Sequence, residues 1–166
     1  MNHTITLREM QPTDWEQVAV IYEQALITGE STFQTEIPEY KEWDSGHLKE
    51  CRIVAEQNNR IIGWVALTPF SNRLVYKGVA QVSIYIHEDY RGKGIGSLLI
   101  SELINKSEEF GFWTLQSAIF ESNMASVKLH EKHGFRIVGY REKIGKTLTG
   151  EWINTLLLER RSQIIY

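Results

Sequence analysis

The chain has 166 residues, with 18 Lys and Arg against 21 Asp and Glu for a formal net charge of −3, and 42% of its residues are hydrophobic. This composition excludes disordered, fibrous and membrane-spanning proteins, and the acidic balance argues against a protein that binds nucleic-acid phosphates. The single cysteine, Cys51, excludes an internal disulfide and a zinc site of paired cysteines, and it suits a reducing compartment. We therefore expect a cytoplasmic enzyme or small-molecule binder.

Seven strands and four helices are predicted in the order β-α-α-β-β-β-α-β-α-β-β, as one domain over residues 1–166. The strands are predicted at Thr4–Leu7, Arg52–Glu56, Arg60–Leu67, Val79–His87, Trp113–Phe120, Phe135–Tyr140 and Trp152–Leu158. The helices are predicted at Trp15–Leu26, from Pro38 to near Cys51, at Gly94–Phe110 and at Met124–His133. This order is typical of an α/β (α+β) domain with a mixed, mostly antiparallel sheet, because the regular alternation of a doubly wound sheet is absent.

The most informative segment joins a strand to a helix and reads Arg91-Gly-Lys-Gly-Ile-Gly-Ser97. Glycines at such a turn let the backbone fold tightly and leave amide N–H groups pointing outward, and the following helix adds the positive end of its dipole. Arg91 and Lys93 add positive charge to the same turn. The segment therefore predicts an anion site suited to a pyrophosphate.

Two phosphate-binding motifs compete for this loop. A nicotinamide fingerprint needs G-x-G-x-x-G, whereas Gly92, Gly94 and Gly96 read G-x-G-x-G, and the chain is too short for two βαβαβ halves with a substrate domain. The segment from Arg91 to Gly96 instead resembles the [QR]-x-x-G-x-[GA] motif of the GNAT superfamily of N-acetyltransferases. In that family this loop holds the pyrophosphate of acetyl-coenzyme A (acetyl-CoA).

The resemblance extends over nearly the whole chain. Residues 123–135 resemble the second family block, N-x-x-S-x-x-L-[YH]-x-x-x-G-F, and residues 32–36, 70–76 and 83–86 resemble the phosphinothricin and methionine sulfoximine acetyltransferase group. This likeness implies a twisted central sheet that splays at the acetyl-CoA site and is flanked by about four helices. It also implies the residues that bind acetyl-CoA, which are Ile84, Tyr85, Ile86, Arg91, Gly92, Lys93, Gly94, Ile95, Gly96, Ser97, Asn123 and Ser126.

Some of these residues have a second interpretation. By resemblance, the backbone N–H of Ile86 stabilises the oxygen on which negative charge develops during acetyl transfer. Strand Ile84–Ile86 must also pack its alternate side chains in the core. Asn123 stands at the start of a helix, where its side chain is equally suited to cap the helix, and the two roles are compatible.

Two side chains are predicted to take part in proton transfer. His130 occupies the position where many family members carry a tyrosine that protonates the departing thiolate, and an imidazole can donate a proton near neutral pH. The alternative is a partly buried helix histidine. Gln81 stands where the group usually carries a glutamate base, and an amide cannot take up a proton. Either water carries the proton to a carboxylate such as Glu36 or Glu30, or the acceptor differs, or turnover is slow.

The acceptor side is predicted to consist of Phe33, Arg73 and Tyr76. A guanidinium can hold a carboxylate, phosphinate or sulfoximine between aromatic walls, although a solvated arginine and a core phenylalanine are the alternatives. The segment Ile144–Asn154 departs from the group's G-x-K-x-G-x-W-x-D pattern, because it has one extra residue and Asn154 replaces the aspartate. Cys51 is expected to be buried rather than nucleophilic.

The predicted function is therefore direct acetyl transfer from acetyl-CoA to the primary amine of a small amino-acid-like compound, without a metal. By resemblance the protein is expected to be a homodimer. The rival hypothesis is a sensor that binds acetyl-CoA but has lost efficient catalysis with Gln81 in place of the base. Polyamines and protein N-termini are alternative acceptors, and Arg73 argues against polycations because it would repel them.

Overall fold

Seven strands form one continuous sheet in the order β1-β2-β3-β4-β5-β7-β6 in the computed structural model, which describes residues 4–166. The strands are β1 (Thr6–Glu9), β2 (Ile53–Gln57), β3 (Arg60–Pro69), β4 (Val79–Ile86), β5 (Thr114–Phe120), β6 (Arg136–Lys146) and β7 (Trp152–Arg161). Each neighbouring pair is antiparallel except β4 and β5, which run parallel. The predicted mixed, mostly antiparallel sheet and the predicted order of elements are confirmed.

Four α-helices cover the two faces of this sheet, and they are α1 (Trp15–Thr28), α2 (Tyr40–Gly46), α3 (Ile95–Glu109) and α4 (Met124–Lys132). On one face, α3 buries Ile95, Leu99 and Leu103, which recur at helical spacing and therefore form one apolar stripe. On the other face, α1 and α2 pack an aromatic cluster around Trp64 and Trp43. No helix within residues 4–166 is long and apolar enough to cross a bilayer.

Strand β3 is buried on both faces, because α3 covers one side and α1 the other. Residues 61–67 are all buried, and they divide between the two core clusters, with Leu67 facing α3 and Trp64 facing α1. A strand covered on both faces carries a nearly continuous apolar run instead of an alternating one. This placement explains the uninterrupted apolar sequence of β3 and makes it the centre of the domain.

The sheet opens between its two parallel strands. Residues 79–81 of β4 pair with residues 114–116 of β5, and beyond Gln81 the two strands share no further pairs. Strand β4 continues along β3 as far as Ile86, while β5 continues along β7 as far as Phe120. The predicted splay is confirmed, and the wedge between β4 and β5 leaves backbone groups of both strands without a strand partner.

Candidate active site at the opening of the sheet

The open edge of β4 presents the backbone of alternate residues. His87, directly after β4, donates its N–H to the carbonyl oxygen of Ile62 at 2.9 Å, and alternate residues of an antiparallel strand turn to the same neighbour. Ile84 and Ile86 therefore turn their backbone groups away from β3 and into the opening. The Ile86 carbonyl is accordingly accessible from the opening, and it accepts a hydrogen bond from Nε of Arg91 at 3.4 Å.

The backbone of Tyr85 points in the opposite direction from those of Ile84 and Ile86. The alternation turns its backbone toward Trp64 of β3, with which it is paired. Its ring packs with the centroid 5.0 Å from that of Trp64 and 4.9 Å from that of Tyr22, and burial raises the pKa of its hydroxyl. Contact between Tyr85 and acetyl-CoA stays a prediction, while its backbone pairs within the sheet and its ring belongs to the core beneath α1.

The three glycines of the loop are present for two different physical reasons. Gly92 and Gly94 have φ angles of +72° and +82°, a left-handed conformation that favours glycine, and no heavy atom lies within 4 Å of where a Cβ would be. Gly96 has ordinary helical geometry, but a Cβ there would lie 2.8 Å from Cδ2 of Leu129 on α4. The first two glycines shape the turn, and the third allows α4 to approach the start of α3.

The N-terminus of α3 has free amide donors. Gly94 is the N-cap residue and no side chain caps the helix; the first intrahelical bond runs from the N–H of Leu98 to the carbonyl of Gly94 at 3.2 Å. The N–H groups of Ile95, Gly96 and Ser97 precede this bond and are the usual unsatisfied donors of a helix start. Because the Ile95 side chain is buried in the core, that residue can offer only its backbone to a ligand.

Two cations flank these donors without a carboxylate partner within residues 4–166. Lys93 donates from Nζ to the carbonyl oxygen of Asp89 at 2.8 Å, and Arg91 donates to the Ile86 carbonyl. Neither forms an ion pair with any described residue, so their charges remain available to an anion. Free N–H groups, the helix dipole and two unpaired cations together make this turn a favourable place for a pyrophosphate.

The N-terminus of α4 is capped by a side chain, in contrast to that of α3. The side-chain oxygen of Asn123 accepts the N–H of Ser126 at 3.3 Å, so the capping alternative for Asn123 holds. Each of these residues is half-buried beside the opening. Contacts between Asn123 or Ser126 and acetyl-CoA stay predictions.

His130 is buried on α4 with a defined tautomer. Its Nδ1 lies 2.7 Å from the carbonyl oxygen of Ser126, which can only accept a hydrogen bond, so Nδ1 carries the ring proton. Its Nε2 is buried and has no hydrogen-bond partner within residues 4–166. Burial lowers the pKa of His130, against the effect of the Ser126 carbonyl.

These facts bear directly on the acid role predicted for His130. A lowered pKa favours the neutral ring near neutral pH, and in that ring Nε2 is an acceptor rather than a donor. An imidazole that protonates a thiolate must first acquire a proton at Nε2. The acid role of His130 stays a prediction.

Gln81 lies at the last rung of the parallel ladder, opposite Gln116 of β5. Its side chain is half-buried, and its amide forms no hydrogen bond with another side chain within residues 4–166. Because side chains alternate along a strand, Gln81 shares the face of Tyr85, which is the face covered by α1. Gln81 therefore lies at the narrow end of the opening, where the two strands begin to separate, on the face of the sheet opposite α3.

Phe33 lies at the mouth of the opening, which is its wide end, and it is held there by residues that the sequence analysis did not single out. Its ring centroid lies 4.6 Å from that of Phe120, the last residue of β5. A Cβ on Gly145 of β6 would lie 2.4 Å from Cζ of Phe33. The aromatic character of Phe120 and the glycine inside an otherwise extended β6 were the available signals, but neither shows which ring fills the space.

Arg73 and Tyr76 are brought together in the loop that joins β3 to β4. The guanidinium carbon of Arg73 lies 5.7 Å from the ring centroid of Tyr76, and the ring of Phe70 packs edge-on against Tyr76 at 5.2 Å. Arg73 forms no ion pair with a carboxylate within residues 4–166, so its charge can meet an acidic ligand. The structure groups Phe33 with Phe120 and Gly145, and it groups Arg73 with Tyr76 as a second set.

The replacement of the group's aspartate by Asn154 has a structural reason. The Asn154 side chain donates from Nδ2 to a carboxylate oxygen of Glu121 at 2.8 Å and accepts the N–H of Lys143 at 2.7 Å. Lys143 has a φ of +48° and lies in the irregular part of β6 between Arg141 and Gly145. An aspartate could not donate to Glu121, so the amide fixes this irregular segment next to Phe33.

Cys51 and two cavities lie outside the opening. Burial raises the pKa of the Cys51 thiol to about 12, so it is a poor nucleophile, in line with the prediction of a buried cysteine. A cavity of about 430 Å³ is lined by Cys51 and Lys106, and one of about 300 Å³ is lined by Tyr76 and Phe112. Neither cavity includes a residue predicted to bind acetyl-CoA.

The opening and the loop fit the family's co-substrate. The open backbone edge of β4 suits an amide-containing arm, and the positive turn before α3 suits a pyrophosphate. The acetyltransferase (GNAT) family matches residues 15–135 of this chain. The chain belongs to the GNAT family of acetyltransferases.

Individual relatives within the family are also similar. YwnH of Bacillus subtilis (strain 168), provisionally named a phosphinothricin acetyltransferase, is 38% identical over 136 residues, covering 79% of this chain and 83% of YwnH. The phosphinothricin N-acetyltransferase of Alcaligenes faecalis is 29% identical over 161 residues, covering 93% of this chain and 81% of that enzyme. A crystal structure of a GNAT phosphinothricin acetyltransferase from Sinorhizobium meliloti in complex with acetyl-CoA has a TM-score of 0.84 at 26% identity, covering 98% of this chain and 96% of the other.

Proposed function

We propose that this GNAT acetyltransferase moves the acetyl group of acetyl-CoA to the primary amine of a small amino-acid-like compound of the phosphinothricin or methionine sulfoximine type. The observation that carries the proposal is the opening between β4 and β5 beside the uncapped, positively charged start of α3. The similarity to proteins named as phosphinothricin acetyltransferases supports the acceptor class.

The residues of the chain that would hold the two substrates lie on opposite faces of the opened sheet. Acetyl-CoA, when bound, supplies an activated acetyl group as a thioester. The free N–H groups at the start of α3, with Arg91 and Lys93, bind its pyrophosphate. We propose that the N–H of Ile86, which turns into the opening, donates to the thioester oxygen. The amine enters on the face of Gln81 and Phe33 and attacks directly, because Cys51 is buried and its thiol pKa is raised.

Proton removal from the amine is the step that Gln81 cannot perform. Its amide accepts a hydrogen bond from the amine and orients the lone pair, while water carries the proton to a carboxylate such as Glu30 or Glu36. In the proposed reaction His130 begins as a neutral imidazole, and its Nε2 has no hydrogen-bond partner within residues 4–166. We propose that it becomes the acid for the departing thiolate only after Nε2 has acquired a proton.

Arg73 supplies the selectivity for an acidic acceptor. A guanidinium without a carboxylate partner within residues 4–166 would be stabilised by the carboxylate of an amino-acid-like substrate. The same charge would repel a polyamine. An Arg73→Ala variant is therefore expected to raise KM for carboxylate-bearing acceptors and to leave the Kd of acetyl-CoA unchanged.

The experiment that tests the function has two parts. Calorimetric titration with acetyl-CoA measures binding, and thiol release is then followed with phosphinothricin, methionine sulfoximine, methionine, spermidine and a peptide N-terminus. The proposal expects binding heat and the highest kcat/KM with the first two acceptors. The absence of binding heat would exclude the function. Binding without thiol release from any amine would favour the acetyl-CoA sensor, for which the replacement of the usual base by Gln81 is the specific observation.

We also propose a cytoplasmic homodimer. Strand β6 is an edge strand of eleven residues that exposes Ile137, Tyr140 and Ile144, and an uncovered apolar edge favours association with another chain. Sedimentation measures this directly, and a single species of 19.3 kDa at micromolar concentration would contradict the dimer.

A further inference from the structure

His133, at the C-terminal end of α4, contacts α3 through both of its ring nitrogens. Its Nε2 lies 2.7 Å from the hydroxyl oxygen of Ser97, and its Nδ1 lies 3.4 Å from the hydroxyl oxygen of Ser101. The two serines are four residues apart and therefore share one side of α3. Ser97 is the last residue of the positively charged turn, so this histidine joins α4 to the place where the pyrophosphate is proposed to bind.

The hydrogen bond between His133 and Ser97 has two arrangements with different consequences. If Ser97 donates its hydroxyl proton to Nε2, it has no proton left for another acceptor. If Nε2 carries the proton and donates to Ser97, the hydroxyl proton is free, and Nδ1 can then accept from Ser101. A phosphate oxygen can only accept, so the second arrangement is the one that bound pyrophosphate favours.

We infer that His133 is a positioning residue for the pyrophosphate of acetyl-CoA. It holds the Ser97 hydroxyl from Nε2–H, with Ser101 donating to Nδ1, so that the Ser97 proton is directed to the anion. This inference rests on the proposed acetyl-CoA binding and extends it to a residue that does not itself touch the anion. The Ser101 hydroxyl, which has no other side-chain contact within residues 4–166, is accounted for by the same arrangement.

The arrangement also couples binding to a proton. Burial and the charge of Lys132 lower the pKa of His133 in the unbound protein, and His130 is the other titratable group that interacts with it from α4. The side of α3 that contacts the ring presents only the neutral Ser97 and Ser101. An anion placed next to Ser97 favours the protonated ring, in which Nε2–H still donates to Ser97 while Nδ1 changes from acceptor to donor, so that the Ser101 hydroxyl then accepts. Acetyl-CoA binding is therefore accompanied by proton uptake when the pH is near the His133 pKa.

Calorimetry of acetyl-CoA binding tests this inference, in pairs of buffers with different ionisation enthalpies between pH 6 and pH 8. A His133→Leu variant is expected to bind about 5-fold more weakly and to lose the proton uptake. A His133→Gln variant keeps most of the affinity, because an amide can still donate to Ser97, but it also loses the proton uptake. His47→Gln, which alters another partly buried histidine with a lowered pKa, is the matched control and should change neither quantity.

A double-mutant comparison of acetyl-CoA affinities at Ser97 and His133 completes the test. At pH 8, where the lowered pKa of His133 leaves its ring neutral, the double variant Ser97→Ala/His133→Leu should bind no more weakly than Ser97→Ala alone, because the neutral ring acts only through that hydroxyl. The inference is overturned if His133→Leu binds with wild-type affinity and proton uptake, or if the two losses add. A purely structural His133 would lower the free energy of unfolding of the His133→Leu variant and leave the proton uptake intact. If the wild-type protein shows no heat with acetyl-CoA, the proposed function itself fails and the inference fails with it.

Discussion

The ring of Phe33 occupies the volume that a side chain on Gly145 would need. A Cβ built on Gly145 would lie 2.4 to 2.9 Å from three atoms of the ring, although the two residues belong to the loop after α1 and to strand β6. Phe33 is thus held between Gly145 and Phe120 at the mouth of the opening. A ring cannot bend away as the end of a flexible side chain can, so any larger residue at position 145 must move Phe33.

A Gly145→Ala substitution is therefore expected to alter the acceptor site without altering acetyl-CoA binding. We expect KM for the acceptor to rise by about 10-fold, since the pocket wall is displaced, while the Kd of acetyl-CoA stays unchanged. Gly139→Ala is the matched control, because it lies on the same strand and its Cβ would meet only Leu157 at an ordinary 3.8 Å. Equal effects of the two substitutions on KM would show that Phe33 does not shape the pocket.

Gln81→Glu is expected to raise turnover toward a small amino-acid substrate by roughly 10-fold or more, because general-base catalysis is worth about 10² to 10⁴ in rate. The exchange is nearly isosteric, and Gln81 is only half-buried where the opening begins, so the fold should tolerate the carboxylate. The wild-type rate should climb steadily with pH, since the free amine must lose its proton first. The variant should level off at lower pH. Steady-state rates between pH 6 and pH 10 measure both profiles.

Gln116→Glu is the control for that experiment. It adds the same charge at the residue of β5 that is paired with Gln81. An equal gain from both variants would indicate a general electrostatic effect. If Gln81→Glu leaves turnover unchanged or lowers it on every amine, Gln81 orients the substrate and is not a vacated base position.

Gly94→Val is expected to weaken acetyl-CoA binding by at least about 10-fold. A β-branched residue is strained at a φ of +82°, so the turn must change its conformation and its outward N–H groups must move. Gly111→Val carries the same strain at a φ of +84° and also has no atom within 4 Å of the new Cβ, but it lies at the far end of α3. Both variants should lose stability to a similar extent, and only Gly94→Val should lose calorimetric binding. Similar loss of binding in both would remove the loop from the site.

The stability of the protein is expected to fall as the pH is lowered from 7 through the unfolded-state histidine pKa of about 6.5. Burial lowers the folded-state pKa of His130 and of His47, so between the two pKa values the unfolded chain binds more protons than the folded one. The loss of stability should end once the pH is below the lowered folded-state values. Urea unfolding at successive pH values measures this slope. His130→Gln retains a donor for the Ser126 carbonyl and should reduce the slope, and an unchanged slope would show that His130 is not the group responsible.

The order of the elements could be predicted because it depends on local patterns. The apolar stripe of α3 and the glycines at positions 92 and 94 are each determined by a few neighbouring residues, through helical periodicity and the left-handed φ that glycine tolerates. The ladder between β4 and β5 ends at Gln81, close to where the sequence placed the splay. The bounds were less accurate, since β6 runs to Lys146 rather than ending at Tyr140.

Contacts between distant segments were decided only by the tertiary structure. Nothing near Gly96 in the sequence indicates that Leu129 of α4 will lie against it, or that Phe33 will fill the space above Gly145. The assignment of Tyr85 also required the strand's register, because a shift of one residue would have turned its backbone into the opening.

The protonation state of the histidines also depends on the tertiary structure. The tautomer of His130 follows from the Ser126 carbonyl one helical turn earlier on α4, but its lowered pKa depends on the atoms that other elements pack around it. The two hydrogen bonds of His133 likewise exist only because α4 lies against α3. The sequence by itself determined the elements, the glycine-rich turn before α3 and the family, since these follow from short-range pattern. Burial, hydrogen-bond partners and the direction of each backbone group depend on packing between elements, and the tertiary structure decided them.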